Sequence, residues 1–411
     1  MAGASPLSGL LVADFSRVLA GPYCTMMLAD LGATVIKVER PGSGDETRSW
    51  GPPWTESGSS SYFESVNRGK KSIELDFNLE ADLSLARELA RRADVVVENF
   101  RTGLLNSYGL DYEAVSSVNP AVVYCSISGF GSGKGAEMPG YDFIVQAVGG
   151  LMSVTGPAQG DAHKVGVALV DVLTAKDAVI GILASLRERD VTGTGQHVEV
   201  NLLSSLLGSL VNQVSGFLAS GVDPRRIGNA HPSIAPYETF RCADGEIAVA
   251  CGNDDQFRRF CGVLNRPELA DDARFATNAA RVSNRPALVS ETERELGRDR
   301  ASVWQQRFLS ERVAAGVVAN ISQGLRLAEE LGLEPTWDAG AGHVSQVAHP
   351  IGYSRTDVVR PAPPPALGEH NREIRRMLAR DSTGGPEGTG GPEGTGRPEE
   401  TARPQEEETT S

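Results

Sequence analysis

Short β-branched runs alternate with helical patterns through the first two hundred residues, and this alternation constrains the fold more than any other feature. Runs such as LLVADF, TVIKVE and DVVVENF are each bounded by segments whose apolar residues recur at helical spacing. Strands joined through helices pair in parallel, because each connection crosses a face of the sheet. The sequence therefore predicts an α/β fold with a largely parallel, doubly wound sheet.

The pattern also predicts how the chain is divided. Strands are expected at 10–15, 34–39, 94–100 and 121–128, and helices at 22–32, 79–93 and about 172–189. From about residue 232 the strand EIAVACG and amphipathic helices around 254–264 and 303–315 indicate a smaller α+β unit. We expect a large domain whose first part is 1–225, a small α+β domain at 226–330, and a return to the large domain at 331–380.

The last segment, 381–411, has a different composition from the rest. It repeats every six residues as GGPEGT, GGPEGT, GRPEET and ARPQEE, and it carries eight acidic side chains against two arginines. Such a segment cannot bury a core. We expect a disordered acidic tail.

Composition excludes several classes of function. The net charge of -14 disfavours a nucleic-acid partner, and no run approaches the ~18 to 20 apolar residues of a membrane span. The N-terminus lacks the basic region of a secretory or transit signal, so the cytoplasm is the expected compartment. Five cysteines without CxxC are expected to be small buried hydrophobes, and six histidines without ligand spacing predict no metal.

Two glycine-containing loops fall short of nucleotide motifs. SRVLAGP follows the first strand but holds only Gly21 and not GxGxxG, so the phosphate turn of an NAD enzyme is missing. GFGSGKG at 129–135 fails the GxxxxGK[ST] pattern, because Ser128 stands where the first glycine belongs. We predict a turn there.

Basic residues cluster near predicted strand ends: Lys37 with Arg40, then Arg48, then Arg68, Lys70 and Lys71. A solvated surface is the usual explanation for such charges. Ligands of open α/β sheets, however, bind beyond the carboxyl ends of strands, where Arg40, Asn99 and Phe100 fall. A ligand with phosphates would use that arrangement.

Asp171 ends the apolar run VGVALV and precedes the helical stretch VLTAKDAVIGILASL. Its structural role would be a helix N-cap. The positive end of the helix dipole is also expected to keep the carboxylate ionised. An ionised, positioned carboxylate is a usable nucleophile.

Many blocks between about residues 7 and 380 resemble class III CoA-transferases, the formyl-CoA and carnitine CoA-transferase family. The blocks are LVADFSRVLAGPYCTMMLADLGATVIKVERPGSGDETRSWGPP, VNRGKKSIELD, DVVVENFRTG, PGYDFIVQAVGGLMSVTGP, TGTGQHVEVNLLSS, GNAHPSIAPYETFRCADGEIAVACGNDDQF and PPPALGEHN. The resemblance implies interlocked homodimers, with a Rossmann-like large domain and a small domain in each chain. It also implies an acyl-CoA thioester as substrate and no permanently bound cofactor.

The resemblance assigns roles to particular residues. Asp171 falls on the family's nucleophile, which forms a mixed anhydride and then an aspartyl-CoA thioester. The residues that fall on CoA contacts are Val18, Ala20, Arg40, Leu75, Asn99, Phe100 and Tyr141. Four positions depart from residues common in the family, namely Leu19, Ser107, Pro139 and Ala175.

Two other functions stay open. α-Methylacyl-CoA racemases of the same superfamily have a histidine where this chain has Tyr141, and tyrosine is a poor acid or base near neutral pH. A non-catalytic acyl-CoA-binding protein is the other alternative, which the retained Asp171 disfavours. Among transferases, VNRGKKS, NLLSS and HPSIAPY most resemble members that use succinyl-CoA and a dicarboxylate such as glutarate.

Overall fold

The main sheet has six parallel strands, seen in a computed structural model that describes residues 5–356, 358 and 360–379. The predicted tail, 381–411, lies outside the described residues. The strands are β1 (Leu11–Asp14), β2 (Thr34–Glu39), β3 (Lys70–Glu74), β4 (Val95–Glu98), β5 (Val123–Ser128) and β6 (His197–Asn201). The predicted parallel α/β sheet is confirmed, with a strand order of β3-β2-β1-β4-β5-β6.

The strand order reverses between β1 and β4, and this reversal positions the site. Val12 of β1 pairs with Val35 of β2 on one side and with Val95 of β4 on the other. The connections that leave β1 and β4 therefore cross opposite faces of the sheet, and this opens a crevice at the carboxyl ends of the two strands.

Helices cover both faces of this sheet. The helices of this part of the chain are α1 (Ala20–Asp30), α2 (Ser61–Glu64), α3 (Glu80–Arg92), α4 (Tyr112–Val118), α5 (Asp142–Val148), α6 (Leu151–Val154), α7 (Leu169–Thr192), α8 (Leu202–Ser209) and α9 (Val211–Ser220), of which α9 contributes no buried residue. Because side chains alternate along a strand, Val95 and Val97 join the core beneath α1 and α7. Val96 joins the core beneath α3 and α4. Valine-rich strands with no polar face are what a sheet covered on both sides requires.

A second, antiparallel sheet forms between residues 237 and 317. Its strands are β7 (Tyr237–Arg241), β8 (Glu246–Ala250) and β9 (Ala314–Val317), and the helices of this region are α10 (Asp254–Val263), α11 (Asn278–Ser283), α12 (Arg285–Leu296), α13 (Ala301–Ser310) and α14 (Ile321–Glu330). The predicted helix at 303–315 is wrong in its second half. The chain turns at Arg312, whose φ is 56°, and the following residues pair with β8. Sheet pairing overrides the local helical pattern there.

The end of the described chain returns to the main sheet. After the short strands β10 (Thr336–Trp337) and β11 (Gln346–Val347), helix α15 (Asn371–Ala379) packs against α3 and β3. Ile374 and Leu378 are buried in the core on that face. The domain boundaries stay a prediction.

All five cysteines are free thiols, and Cys24, Cys125, Cys251 and Cys261 are buried. The prediction that cysteines act as small apolar residues is confirmed at these four positions. Within the described residues no single helix has the length and apolarity of a membrane span. Only α8 and α9 taken together meet that test, and they are bent by 76°.

Candidate active site

Two neighbouring cavities lie beyond the carboxyl ends of the central strands. The small cavity, of about 360 Å³, is lined by Val18, Ala20, Asn99, Phe100, Tyr141 and Asp171. The large cavity, of about 720 Å³, is lined by Arg40, Leu75 and again Phe100. Phe100 belongs to the wall that the two cavities share. The fold thus brings all eight predicted site residues together around one crevice.

The loop after β1 forms one wall of the small cavity and is tightly held. Val18 has φ 69°, a conformation that a β-branched residue rarely adopts. Its N–H donates to Asp45 Oδ2 at 3.2 Å. Arg17 N donates to Asn99 Oδ1 at 2.8 Å, and Asn99 Nδ2 donates to the Arg17 carbonyl at 2.7 Å. The amide of Asn99 therefore joins the ends of β1 and β4.

Gly21 lets helix α1 start directly beside this loop. A Cβ atom at position 21 would lie 2.2 Å from the Cβ of Ser16. Ser16 in turn donates through its backbone N–H to Asp14 Oδ1 at 3.0 Å. The single glycine of SRVLAGP therefore serves close packing between loop and helix.

The segment predicted as a turn forms the opposite wall. Gly129, Phe130, Gly131 and Gly135 line the small cavity together with Pro139. Gly129 and Gly140 cross so closely that a Cβ atom on Gly129 would meet the Gly140 Cα at 2.6 Å. This contact places Tyr141, the next residue, at the cavity, with 64% of its surface exposed.

Asp171 lies on helix α7, where the cap prediction is wrong. The N-cap is Ala168, which forms no side-chain cap, so Asp171 is the third residue of the helix. Within the described part of the chain its carboxylate forms neither a hydrogen bond nor an ion pair. A half-buried carboxylate without a partner on a cavity wall is placed to react with a ligand.

The expectation that the helix dipole keeps Asp171 fully ionised is also wrong. Burial, and next to it the negative charge of Asp142, raise the pKa of Asp171 from 3.8 to about 7. The dipole of one helix does not offset the loss of hydration. About half of the carboxyl groups are therefore ionised at neutral pH, and a poorly hydrated carboxylate is more reactive than one in water.

Comparison with known proteins identifies the family and the fold of this chain. The profile of CoA-transferase family III matches residues 7–371. This chain belongs to CoA-transferase family III. The transferase is 43% identical to the succinate–glutarate CoA-transferase of Agrobacterium fabrum, over 91% of this chain and 96% of that protein. It is 39% identical to the human succinyl-CoA:glutarate CoA-transferase, over 91% and 86% of the two chains.

A solved structure of a related protein has the same fold as this chain. The CAIB/BAIF family protein from Brucella suis superposes with a TM-score of 0.83 at 43% identity, over 92% of this chain and all of that chain. The chain is therefore an enzyme, a CoA-transferase.

Most of the basic residues that suggested phosphate contacts in this transferase have other partners. Three are buried in ion pairs, namely Lys37 with Asp45, Arg68 with Asp30 and Lys70 with Asp14, and the half-buried Arg48 pairs with Glu39. Lys71 pairs with Glu373. Among these clustered bases Arg40 alone forms no ion pair with another described residue, and its exposed side chain borders the large cavity. Neither a surface nor a phosphate role explains the three buried bases, Lys37, Arg68 and Lys70.

The family departures fall at different places in the transferase. Leu19 and Pro139 line the small cavity, and Ala175 is a fully buried residue of α7 itself. Ser107 is not among the described residues that line either cavity.

Sequence reasoning missed residues at the shared wall of the two cavities. Arg17 and Glu46 line both and form an ion pair, and Arg17 stacks on Phe100 with its guanidinium 5.2 Å from the ring centre. Trp50 lines both cavities and meets Tyr62 edge to face at 5.3 Å. The aromatic run SWGPPW in an otherwise polar loop was the available signal.

Tyr62 also contributes to the electrostatics near Asp171. Burial and then the negative charges of Asp171, Asp142 and Asp45 raise the pKa of Tyr62 to about 12. Its hydroxyl stays protonated at any physiological pH. It offers a hydrogen-bond donor in a region of carboxylates.

Proposed function

We propose that this enzyme transfers coenzyme A from succinyl-CoA to a dicarboxylate acceptor of the glutarate type, with Asp171 as the nucleophile. The observation that carries the proposal is the unpaired, poorly hydrated carboxylate of Asp171 on the wall of a cavity adjoining a second, larger one. Relatives with the printed names of succinate–glutarate and succinyl-CoA:glutarate CoA-transferases support the choice of substrates.

The first half of the reaction loads the enzyme. An Asp171 oxygen attacks the thioester carbonyl of the donor, the C–S bond breaks, and CoA leaves as a thiolate beside an aspartyl–acyl mixed anhydride. The thiolate then attacks the Asp171 carbonyl carbon and releases the donor acid as its carboxylate. The aspartyl-CoA thioester that results keeps the energy of the original bond.

The second half runs the same steps in reverse. A carboxylate oxygen of the acceptor attacks the aspartyl thioester, CoA thiolate leaves again, and a new mixed anhydride forms. The thiolate attacks the acyl carbon of the acceptor, which regenerates the Asp171 carboxylate. Each intermediate is sensitive to hydrolysis, so the walls around Asp171 must exclude water.

The two cavities suggest how the donor lies. The large cavity would hold the nucleotide, with Arg40 at its phosphates, and the small cavity would hold the thioester at Asp171. The pantetheine arm would pass the wall formed by Arg17, Glu46 and Phe100. A ligand that crosses the switch point of a doubly wound sheet follows the general rule for such folds.

The active form in this proposal is the interlocked homodimer. Helices α9 and α14 have no buried residue within the chain. Their apolar side chains are exposed to solvent, 76% for Leu218 of α9 and 86% for Ile321 of α14. Apolar faces of this kind are normally covered, and the implied threading of two chains supplies a cover. The large domain would comprise 1–225 and 331–380, and the small domain 226–330. The free thiols suit a reducing compartment, which keeps the cytoplasm as the proposed location.

The racemase alternative is weaker on the geometry of the site. Tyr141 lines the small cavity, and no histidine is among the described residues that line it. The acid/base partner of a racemase is therefore not at this wall.

The test uses the enzyme with succinyl-CoA and a panel of mono- and dicarboxylates. Asp171→Asn should leave a folded protein whose transfer rate is at least ~10³-fold lower, about 4 kcal/mol in the barrier. The matched control is Asp177→Asn, because Asp177 is an exposed aspartate on the same helix, and it should keep normal transfer.

Trapping completes the test. Wild-type enzyme mixed with succinyl-CoA alone should become labelled at Asp171 by hydroxylamine or borohydride. Near-normal transfer by Asp171→Asn, or label on Asp142 or Asp177, would show that the nucleophile is assigned wrongly. Exchange of an α-proton in a branched acyl-CoA, without transfer, would favour the racemase.

A further inference from the structure

Asp142, the first residue of α5, contacts the start of α7 from a different helix. Its Oδ1 accepts hydrogen bonds from Val170 N at 2.8 Å and from Asp171 N at 3.3 Å. Its Oδ2 accepts from Gln146 Nε2 at 2.7 Å. Both oxygens of Asp142 are therefore occupied, which distinguishes it from the unpaired carboxylate of Asp171.

The first turn of a helix has N–H groups without partners, and a side chain just before the helix normally accepts from the second or third of them. In α7 that local acceptor is missing, because Ala168 holds the N-cap position. Asp142 takes over the task from α5. The backbone of Asp171 is consequently fixed to α5, which also begins at the cavity wall next to Tyr141.

Gln146 holds Asp142 in this position. It is fully buried, and its Oε1 accepts from Val165 N at 2.9 Å while its amide nitrogen donates to Asp142. Gln146 thus holds the segment before α7 at Val165, and Asp142 holds the first turn of α7 at Val170 and Asp171. Nothing assigned by the resemblance or by the relatives involves these two side chains.

We propose that Asp142, held by Gln146, is a positioning residue of the transferase, which fixes the first turn of α7 and so directs the Asp171 carboxylate into the small cavity. The inference rests on the proposed role of Asp171. A nucleophile must approach the thioester carbon within a narrow range of distance and angle, and a misplacement of about 1 Å costs on the order of 10²-fold in rate.

The charge of Asp142 has a second effect, which supplies an independent readout. The charged side chains that line the small cavity with Asp171 are Arg17, Glu46, Arg101 and Glu137. Asp142 lies on α5, and Tyr62 on α2 stays neutral. Arg17 pairs with Glu46 and Arg101 with Glu137, so their fields largely cancel. Asp142 adds to burial in raising the pKa of Asp171, and removing its charge should lower that pKa.

The experiment compares three variants of the full-length enzyme with wild type, by kcat, KM for succinyl-CoA and the pH profile of kcat/KM. In Asp142→Ala, kcat should fall ~10²-fold while KM changes less than about threefold, because the loss is in alignment. In Asp142→Asn the oxygen can still accept from α7, but the amide faces the Gln146 amide. We expect a smaller loss of kcat and an acid limb at lower pH.

The double variant Asp142→Asn with Gln146→Glu restores the hydrogen bonds with reversed polarity. The introduced amide donates to the introduced carboxylate, whose other oxygen accepts from Val165 N. It should recover kcat to within about tenfold of wild type, and a kcat no better than that of Asp142→Asn would overturn the proposal. It also decides the question if Asp142→Ala does not fold.

The control is Asp111→Ala, since Asp111 is the local N-cap of α4 and also accepts from a first-turn N–H, that of Ala114 at 2.8 Å, but is not among the described residues that line the small cavity. It should keep the kcat and the pH profile of wild type. The proposal fails if Asp142→Ala keeps kcat within threefold and its acid limb at the wild-type pH, in an enzyme that Asp171→Asn inactivates. Full activity of Asp171→Asn would instead refute the proposed function.

Discussion

Asp171→Asn should make the protein more stable at pH 8, although it removes the reactive group. The pKa of Asp171 is raised from 3.8 to about 7 by burial and by Asp142. An acid whose pKa is higher in the folded state binds more protons there than when unfolded, so stability falls as pH rises between those two values. Asparagine does not titrate, and it avoids this loss.

The size of the effect follows from the same shift. One pKa unit corresponds to about 1.4 kcal/mol, so a rise from 3.8 to about 7 would cost about 4 kcal/mol in a site sealed from water. The Asp171 side chain is only half-buried, and water screens part of the charge. We therefore expect a gain of about 1 to 2 kcal/mol at pH 8 and almost none at pH 4.

Urea unfolding of both proteins at pH 4, 6 and 8, at one fixed protein concentration, measures this difference in the free energy of unfolding. A cap role for Asp171 predicts a different result, because an amide also caps a helix and the difference would be near zero at every pH. A difference that does not grow with pH, or a loss of stability at pH 8, would refute the raised pKa and the reasoning from it.

Three further outcomes are expected. Arg40→Ala should raise KM for acyl-CoA more than it lowers kcat, and salt should weaken wild-type binding more than binding by the variant; equal salt sensitivity would remove Arg40 from the phosphate site. Gly21→Ala should lower the free energy of unfolding by about 1 to 3 kcal/mol, because the new Cβ meets Ser16 at 2.2 Å, and an unchanged melting temperature would contradict that contact. Removing 381–411 should leave activity and melting temperature nearly unchanged, since this repetitive polar segment has little to bury, and a large loss of either would contradict it.

The buried ion pairs show where local reasoning reached its limit. Lys37 stands in a strand that was predicted and Lys70 in β3 (Lys70–Glu74), which was not, and both charges were expected at a surface or on phosphates. The structure puts Lys37 Nζ 2.8 Å from Asp45 and Lys70 Nζ 3.0 Å from Asp14. Buried charges must be paired. The partner of Lys70 lies 56 residues away in the sequence, and the partner of Lys37 lies in the loop that follows its own strand.

The parallel sheet and the choice of Asp171 followed from the sequence by itself. Alternating valine-rich runs and helical segments have few ways to bury their apolar faces, and the resemblance to one family singles out Asp171 without any coordinates. The number of blocks that resemble one family made the eight site residues predictable one by one. Each of these signals is local, since it depends on residues within one or two elements.

Only the tertiary structure decided how Asp171 is held and charged. Its position as third residue of α7, the absence of a local cap and the contact with Asp142 depend on how α5 packs against α7. Its pKa depends on how much water the surrounding walls remove. Burial and contacts between distant segments depend on how the whole chain folds, so they cannot be predicted from a short stretch of sequence.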